Sequence, residues 1–327
     1  MLNKIKGASS KALPNLKEVA LVGYHPGLKM NRLLSTGSLL ALSLTAIGCQ
    51  GRDASPGIGE SNGNLVRVEL GYTQVAGQSE LGFDVQAHFV QYRSFDSASI
   101  PALLGLSDFS SVALESCSET DSIRDLDRAL ASATASSATG VAPSEVALLD
   151  AGRLELLGPQ DRAALTPRHY PDLVPFVYGV VYGGDEQSPI SLALGQSYQV
   201  SSEGGAEVGP FAVSAVAPQA FPTLSIGNFE AGRPLELHWM DATPGEPILL
   251  ELKTAWRGGS RSVHCRVSDT GAFIVPRELV TALLQPNLIS ASISAARVKR
   301  ANLEAPSAGR GELVIALRDV VPIQVQP

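Results

Sequence analysis

The chain has 327 residues, with 25 Lys and Arg against 32 Asp and Glu. Residues 1–49 contain six of the basic residues and one acidic residue, so the remainder carries 19 basic and 31 acidic residues. A surface this acidic repels phosphate backbones and anionic lipid headgroups, so we exclude nucleic acid as an expected partner.

Residues 30–49 have the layout of a secretory signal. Arg32 supplies a positive charge, an apolar stretch follows from Leu33 to Ile47, and small residues lead to Cys49. The stretch is shorter than the roughly 20 apolar residues of a membrane span, and Ser, Thr and Gly interrupt it. Five lysines precede Met30, which leaves two alternatives: translation starts at Met30, or Met1 begins a long basic leader.

The six residues from Leu44 to Cys49 resemble the lipobox of bacterial lipoproteins. Gly48 and Cys49 fit that pattern, whereas Ala46 stands where Leu is usual. The resemblance implies that residues 1–48 are removed, that Cys49 is lipidated and that the lipid holds the protein in a membrane of the cell envelope. By the same resemblance, Gln50 in place of Asp favours the outer membrane.

Residues 49–64 are rich in Gly, Ser and Pro after the cysteine, which is typical of a flexible tether. Beyond them, short apolar runs end at frequent glycines and prolines, and helical periodicity is scarce. We therefore predict an all-β fold with two β-sandwich, immunoglobulin-like domains, 65–217 and 218–327, and one or two short helices.

The pattern predicts a series of strands in the N-terminal domain and a helix over 121–132. In the segment from Leu192 to Val200, a turn leads into a strand that bears Tyr198. This resembles the tyrosine strand of fibronectin type III and immunoglobulin-like sandwiches. The strands are expected at 65–72, 83–92, 146–149, 153–157, 174–182, 188–194, 198–201 and 211–215.

Alternation also predicts the strands of the C-terminal domain. Leu235, Leu237 and Trp239 alternate with polar residues, and Pro276 can begin a short helix over 277–284. The other strands are expected at 248–252, 263–267, 273–275, 288–293, 313–317 and 321–325.

The segment after Cys49 contains none of the common catalytic or phosphate-binding motifs, so we predict no enzyme activity and no cofactor. His238 and His264, with Glu236, could form a metal site if their strands were neighbours, but outward polar residues are also what a solvated sheet face shows. An acidic group could bind calcium, although its spacing is irregular and a capped helix explains part of it. Its members are Glu115, Glu119, Asp121, Asp125 and Asp127.

Phe176, Tyr178, Val180 and Tyr182 share one side of a predicted strand. Such a stripe can serve as a platform for sugars or peptides, yet the opposite side is apolar too, which favours a strand buried on both faces.

Two cysteines remain after Cys49. An oxidising compartment would allow Cys117 to pair with Cys265. The two lie in different predicted domains, and Cys265 faces the core with Val263 and Val267, so a buried free thiol is an equal alternative.

The leading functional hypothesis is a lipid-anchored binding or structural module of the envelope whose partner is a protein, a glycan or another envelope component. One alternative is an envelope hydrolase with a site assembled from distant residues such as His169 and Asp172. Another is an accessory lipoprotein of a secretion or surface complex. Fold alone does not choose among ligands.

Overall fold

The structure, a computed structural model, describes residues 61–95, 99–104, 106, 109, 112–121, 145–169, 176–183, 190–257, 259–285 and 287–323. Within these ranges the chain forms seventeen strands and two short helices, which confirms the predicted all-β fold. No helix in the described ranges is long and apolar enough to cross a membrane.

Most strands before residue 217, together with parts of two strands near the C-terminus, surround the first hydrophobic core. In β1, Val66, Val68, Leu70 and Tyr72 are at most 1% exposed, and they alternate with residues that face away from this core. These side chains pack against a four-stranded sheet in the order β10-β9-β5-β6. The elements are β1 (Ser61–Val75), β2 (Gly82–Phe95), α1 (Ser99–Leu103), β3 (Ser116–Asp121), β4 (Glu145–Leu148), β5 (Leu154–Leu157), β6 (Arg162–Leu165), β7 (Arg168–His169), β8 (Val177–Gly183), β9 (Ser197–Ser202) and β10 (Phe211–Val216).

Tyr198 holds the turn before β9 against this core. Its ring is fully buried, and its hydroxyl donates a hydrogen bond to the Ser191 carbonyl oxygen at 3.0 Å. The same hydroxyl accepts a bond from the Ala193 amide at 2.6 Å. A tyrosine hydroxyl bonded to the backbone a few residues upstream is the arrangement of a tyrosine corner.

The strands after residue 217 surround a second core. A three-stranded sheet, β11-β12-β15, packs against the long strands β14, β13, β16 and β17. Leu235, Leu237 and Trp239 supply the β12 side of this core, as the alternation predicts. The elements are β11 (Leu224–Ile226), β12 (Leu235–Trp239), β13 (Pro247–Trp256), β14 (Gly259–Ser268), β15 (Ala272–Val275), α2 (Arg277–Leu283), β16 (Leu288–Ala305) and β17 (Gly309–Ile323).

One ten-stranded sheet runs through both halves, in the order β3-β14-β13-β16-β17-β1-β2-β4-β8-β7. Two long-range pairings create it. β1 runs parallel to β17 from the pair Arg67 and Glu312 to the pair Val75 and Val320, and β3 runs antiparallel to β14. Residues 55–327 accordingly form one compact unit, and strands from both sides of the predicted boundary at residue 217 share its largest sheet.

A buried ion pair lies where the two halves meet. Asp269 is 0% exposed and accepts a hydrogen bond from Arg297 Nε at 2.7 Å and one from Trp239 Nε1 at 2.6 Å. The rest of the Arg297 guanidinium donates to the carbonyl oxygens of Ala220, Phe221 and Met240. Because each charged group has several hydrogen-bond partners, these bonds offset the free-energy cost of burying the ion pair.

Some predicted elements differ from the structure, and one lies almost wholly outside the described residues. The helix expected over 121–132 lies outside the described residues except for Asp121, which ends β3. No strand forms over residues 190–194, whose backbone bonds instead to the Tyr198 hydroxyl. The strand expected at 313–317 and the described part of the one expected at 321–325 belong to a single strand, β17. Pro322 does not interrupt it, because the pairing with β1 has already ended at Val320.

Candidate binding surface

Cys49 and most of the predicted tether lie outside the described residues, which begin at Ser61, the first residue of β1. The other two cysteines form a disulfide between β3 and β14, where they are directly opposite in register. The predicted domain division had placed them apart. They meet because the segment between β2 and β4 brings β3 to the edge of the sheet that covers the second core.

The two histidines of the metal site suggested by the sequence lie in different sheets. His238 is exposed on β12, with Nε2 4.0 Å from a Glu236 carboxylate oxygen. His264 is buried on β14, where it faces Glu251 at 3.5 Å and stacks on Phe109. Among the described residues, no group of three or more His, Cys, Asp and Glu is close enough to hold a metal ion.

Two members of the acidic group, Glu115 and Glu119, have protein partners. Glu119 pairs with Arg261 at 3.0 Å. Glu115 accepts a hydrogen bond from the Ser268 amide at 2.8 Å, and this bond lowers the pKa of its carboxyl group. Asp125 and Asp127 lie outside the described residues, as does Asp172 of the hydrolase hypothesis, whereas His169 is exposed on β7.

The aromatic stripe divides between two environments. Tyr182 is buried in the first core, and its hydroxyl donates to Asp150 and accepts from the Ala151 amide. Tyr178 is 46% exposed. Phe176 packs on Phe95 with ring centroids 5.6 Å apart, in a smaller cluster on the other face of the sheet.

Tyr178 lies in a row of side chains at one end of the ten-stranded sheet. Asn64, Gln91, Ala147 and Tyr178 are paired in turn across β1, β2, β4 and β8, so their side chains leave the same face. The next row contains Arg93 opposite Glu145, and the Tyr178 hydroxyl donates a hydrogen bond to Glu145. This bond is the main cause that raises the pKa of Tyr178, so the hydroxyl keeps its proton at neutral pH.

Two neighbouring clefts open beside this row, with volumes of about 360 and 410 Å³. Both are lined by Asn64, Gly309 and Arg310, the last two of which belong to β17. Gln91 and Arg93 also line the first cleft, whereas Tyr178 lines neither and belongs to the site through the row alone. We call these two clefts and the Asn64-to-Tyr178 row the polar cleft. Its lining combines amide, guanidinium, carboxylate and phenol groups, which provide both donors and acceptors.

A second polar group lies on the face of the ten-stranded sheet turned away from the two cores. Arg67 contacts Glu69 at 2.8 Å and Glu312 at 3.6 Å, and Arg300 contacts Glu312 at 3.1 Å. His88, opposite Arg67 in register, is 9% exposed. Burial and the positive charge of Arg67 lower the pKa of His88 to about 4 against the opposing effect of Asp84, so the imidazole is neutral at pH 7.

Sequence reasoning singled out Tyr178 but missed Asn64, Gln91, Arg93 and Arg310. Polar residues on strands are what any solvated sheet face shows, and nothing local marks these four. Only the register of β1 with β2, and of β2 with β4, brings them together.

No known protein family matches the sequence, and no curated protein matches it either. One solved structure is similar: the FN1–FN3 domains of chicken CNTN1, at 14% identity and a TM-score of 0.15. The match covers 52% of this chain and 57% of that one, so the chain spans little more than half of its length. A TM-score this low carries no argument about how the strands connect.

Proposed function

We propose that this chain is an exported lipoprotein, lipidated at Cys49, whose β-sandwiches act as a binding or structural module of the cell envelope. The observation that supports it best is the disulfide between Cys117 and Cys265. Disulfides persist in exported proteins, whereas reducing systems keep cytosolic thiols free. The disulfide therefore agrees with the secretory signal and with the lipobox-like residues before Cys49.

The joined sandwiches suit a module that holds a binding surface in a fixed position. β1 is paired along nine residues with β17, and β3 is both paired with and covalently bound to β14. Hinge motion between the two cores would break these backbone hydrogen bonds. A partner would thus meet a preformed surface, which reduces the ordering cost of binding.

The polar cleft includes residues at the start of β1. Asn62 and Asn64 line the cleft, one and three residues after Ser61. Eleven residues lie between Cys49 and Ser61, and a chain of that length reaches at most about 40 Å. In the anchored protein, the cleft would therefore lie within about that distance of the membrane surface, along with the start of β1.

The test is the intact mass of the full chain purified from the membrane of an expressing Gram-negative host. We expect the mass of residues 49–327 plus acyl groups, and release into the soluble fraction when Cys49 is changed to Ser. Ser35→Ala, in the same segment but outside the lipobox-like residues, is the matched control and should leave processing intact. An unmodified chain that retains residues 1–48 would overturn the proposal.

A further inference from the structure

We infer that the polar cleft binds a neutral polyhydroxylated ligand, that is, a short stretch of sugar rings. The inference rests on the proposed binding role and names the class of partner. Four observations support it: the length of the row, the exposed aromatic ring, the mixture of polar groups and the size of the clefts.

The row has the length of a short oligosaccharide. Asn64, Gln91, Ala147 and Tyr178 lie on four successive strands, and neighbouring strands are about 4.8 Å apart. The row therefore extends about 14 Å, which corresponds to two or three sugar rings. Ala147, in its middle, is the smallest of the four and packs against the first core.

Tyr178 supplies an apolar surface within a polar site. The residue after Tyr178 is Gly179, whose φ of +114° favours glycine. A Cβ at Gly179 would collide with the Leu148 carbonyl oxygen. The hydrogen bond to Glu145 fixes the tip of the ring. A ring fixed in this way can stack on the C–H face of a sugar without losing much side-chain freedom.

The charges of the cleft favour a neutral ligand. Arg93 lies opposite Glu145 across β2 and β4, and Arg310 contacts Glu304 at 3.3 Å. Each positive group thus has a carboxylate beside it, which opposes the binding of phosphate or an acidic peptide. Hydroxyl groups both donate and accept, and the amides of Asn64 and Gln91 do the same.

The size of the clefts favours a sugar over a protein as the partner. Volumes of about 360 and 410 Å³ are within the range of small-ligand sites. A stable protein interface covers about 800 Å² on each partner and has aromatic and apolar residues at its centre. Tyr178 is the one aromatic ring exposed along the described row, so the surface suits a small ligand better.

The test measures binding of neutral hexose and N-acetylhexosamine oligomers of two to four rings to the full-length protein in detergent. We expect at least one of these saccharides to bind, and Tyr178→Ala or Gln91→Ala to weaken its binding at least tenfold. Leu194→Ala removes a side chain of similar exposure outside the cleft, and it should leave binding unchanged. Thermal melting checks that each variant is folded, and Arg93→Ala replaces any variant that is not.

Three results would overturn the inference. They are no binding of any of these saccharides by the folded protein, equal binding by Tyr178→Ala and Gln91→Ala, and binding of inorganic phosphate in preference to every neutral saccharide. These outcomes are independent of the anchor. A protein that carries the acyl mass but binds no saccharide refutes only the ligand class, whereas a saccharide-binding chain that retains residues 1–48 refutes only the lipoprotein proposal.

Discussion

Removal of the disulfide between Cys117 and Cys265 should destabilise the fold strongly. The bond closes a loop with a sequence separation of 148 residues. In the chain-entropy description, a loop of this length restricts the unfolded chain by about 5 kcal/mol. We therefore expect the variant Cys117→Ala/Cys265→Ala to lose about 3 to 5 kcal/mol of its free energy of unfolding, the lower value allowing for residual structure in the unfolded chain.

Urea unfolding followed by the fluorescence of Trp239 and Trp256 measures this loss. With a denaturant slope of about 3 kcal/mol per molar, the midpoint should fall by about 1 to 1.7 M. Cys49→Ser removes a cysteine outside the closed loop and should leave the midpoint unchanged. The loop-closure argument is refuted if the midpoint of the variant is lower than that of the wild type by less than about 0.3 M. The mass of the wild-type protein must first verify that its disulfide is formed.

Three further variants test the interior. Asp269→Asn leaves the Arg297 guanidinium buried without a full counter-charge, so urea unfolding should show a loss of about 3 kcal/mol, and no loss would contradict the role of the pair. Tyr198→Phe removes two backbone hydrogen bonds and should cost about 1 to 3 kcal/mol, whereas Tyr178→Phe, at an exposed ring, should cost much less in the same assay. The pKa of His88 is about 4 in the folded protein, below its ordinary value, so unfolding takes up a proton between these values. Stability should be greatest above about pH 6.5 and fall by about 3 kcal/mol as the pH drops to 4, and His88→Gln should flatten that part of the urea-midpoint profile.

Local patterns in the sequence predicted most strands, because each depends on alternation within a few residues. Val66 to Tyr72 and Leu235 to Trp239 show this clearly, since their apolar residues are buried and their polar neighbours face the other way. Tyr198 was likewise expected on a strand that follows a turn, and the structure adds that its hydroxyl bonds to that turn. These features require no knowledge of distant partners.

The pairings between distant segments had no local signal. β1 pairs with β17, and β3 pairs with β14, although the partners lie far apart in the sequence, and no local pattern in either strand identifies its partner. The disulfide could therefore be considered from the sequence but not decided. The polar cleft was not predicted for the same reason, because Asn64, Gln91 and Arg93 become neighbours of Tyr178 only through strand register.

The position of β1 also has a mechanical consequence. In the proposed anchored protein, a pull from the membrane would enter at Ser61 and run along the axis of β1. That strand lies between β2 and β17, with twelve and nine paired positions, and the hydrogen bonds of such ladders run across the strands. The load would be shared by many bonds in shear, whereas at an edge strand such as β10 the bonds can peel one after another. The first strand after the anchor is thus well placed to resist extraction under force.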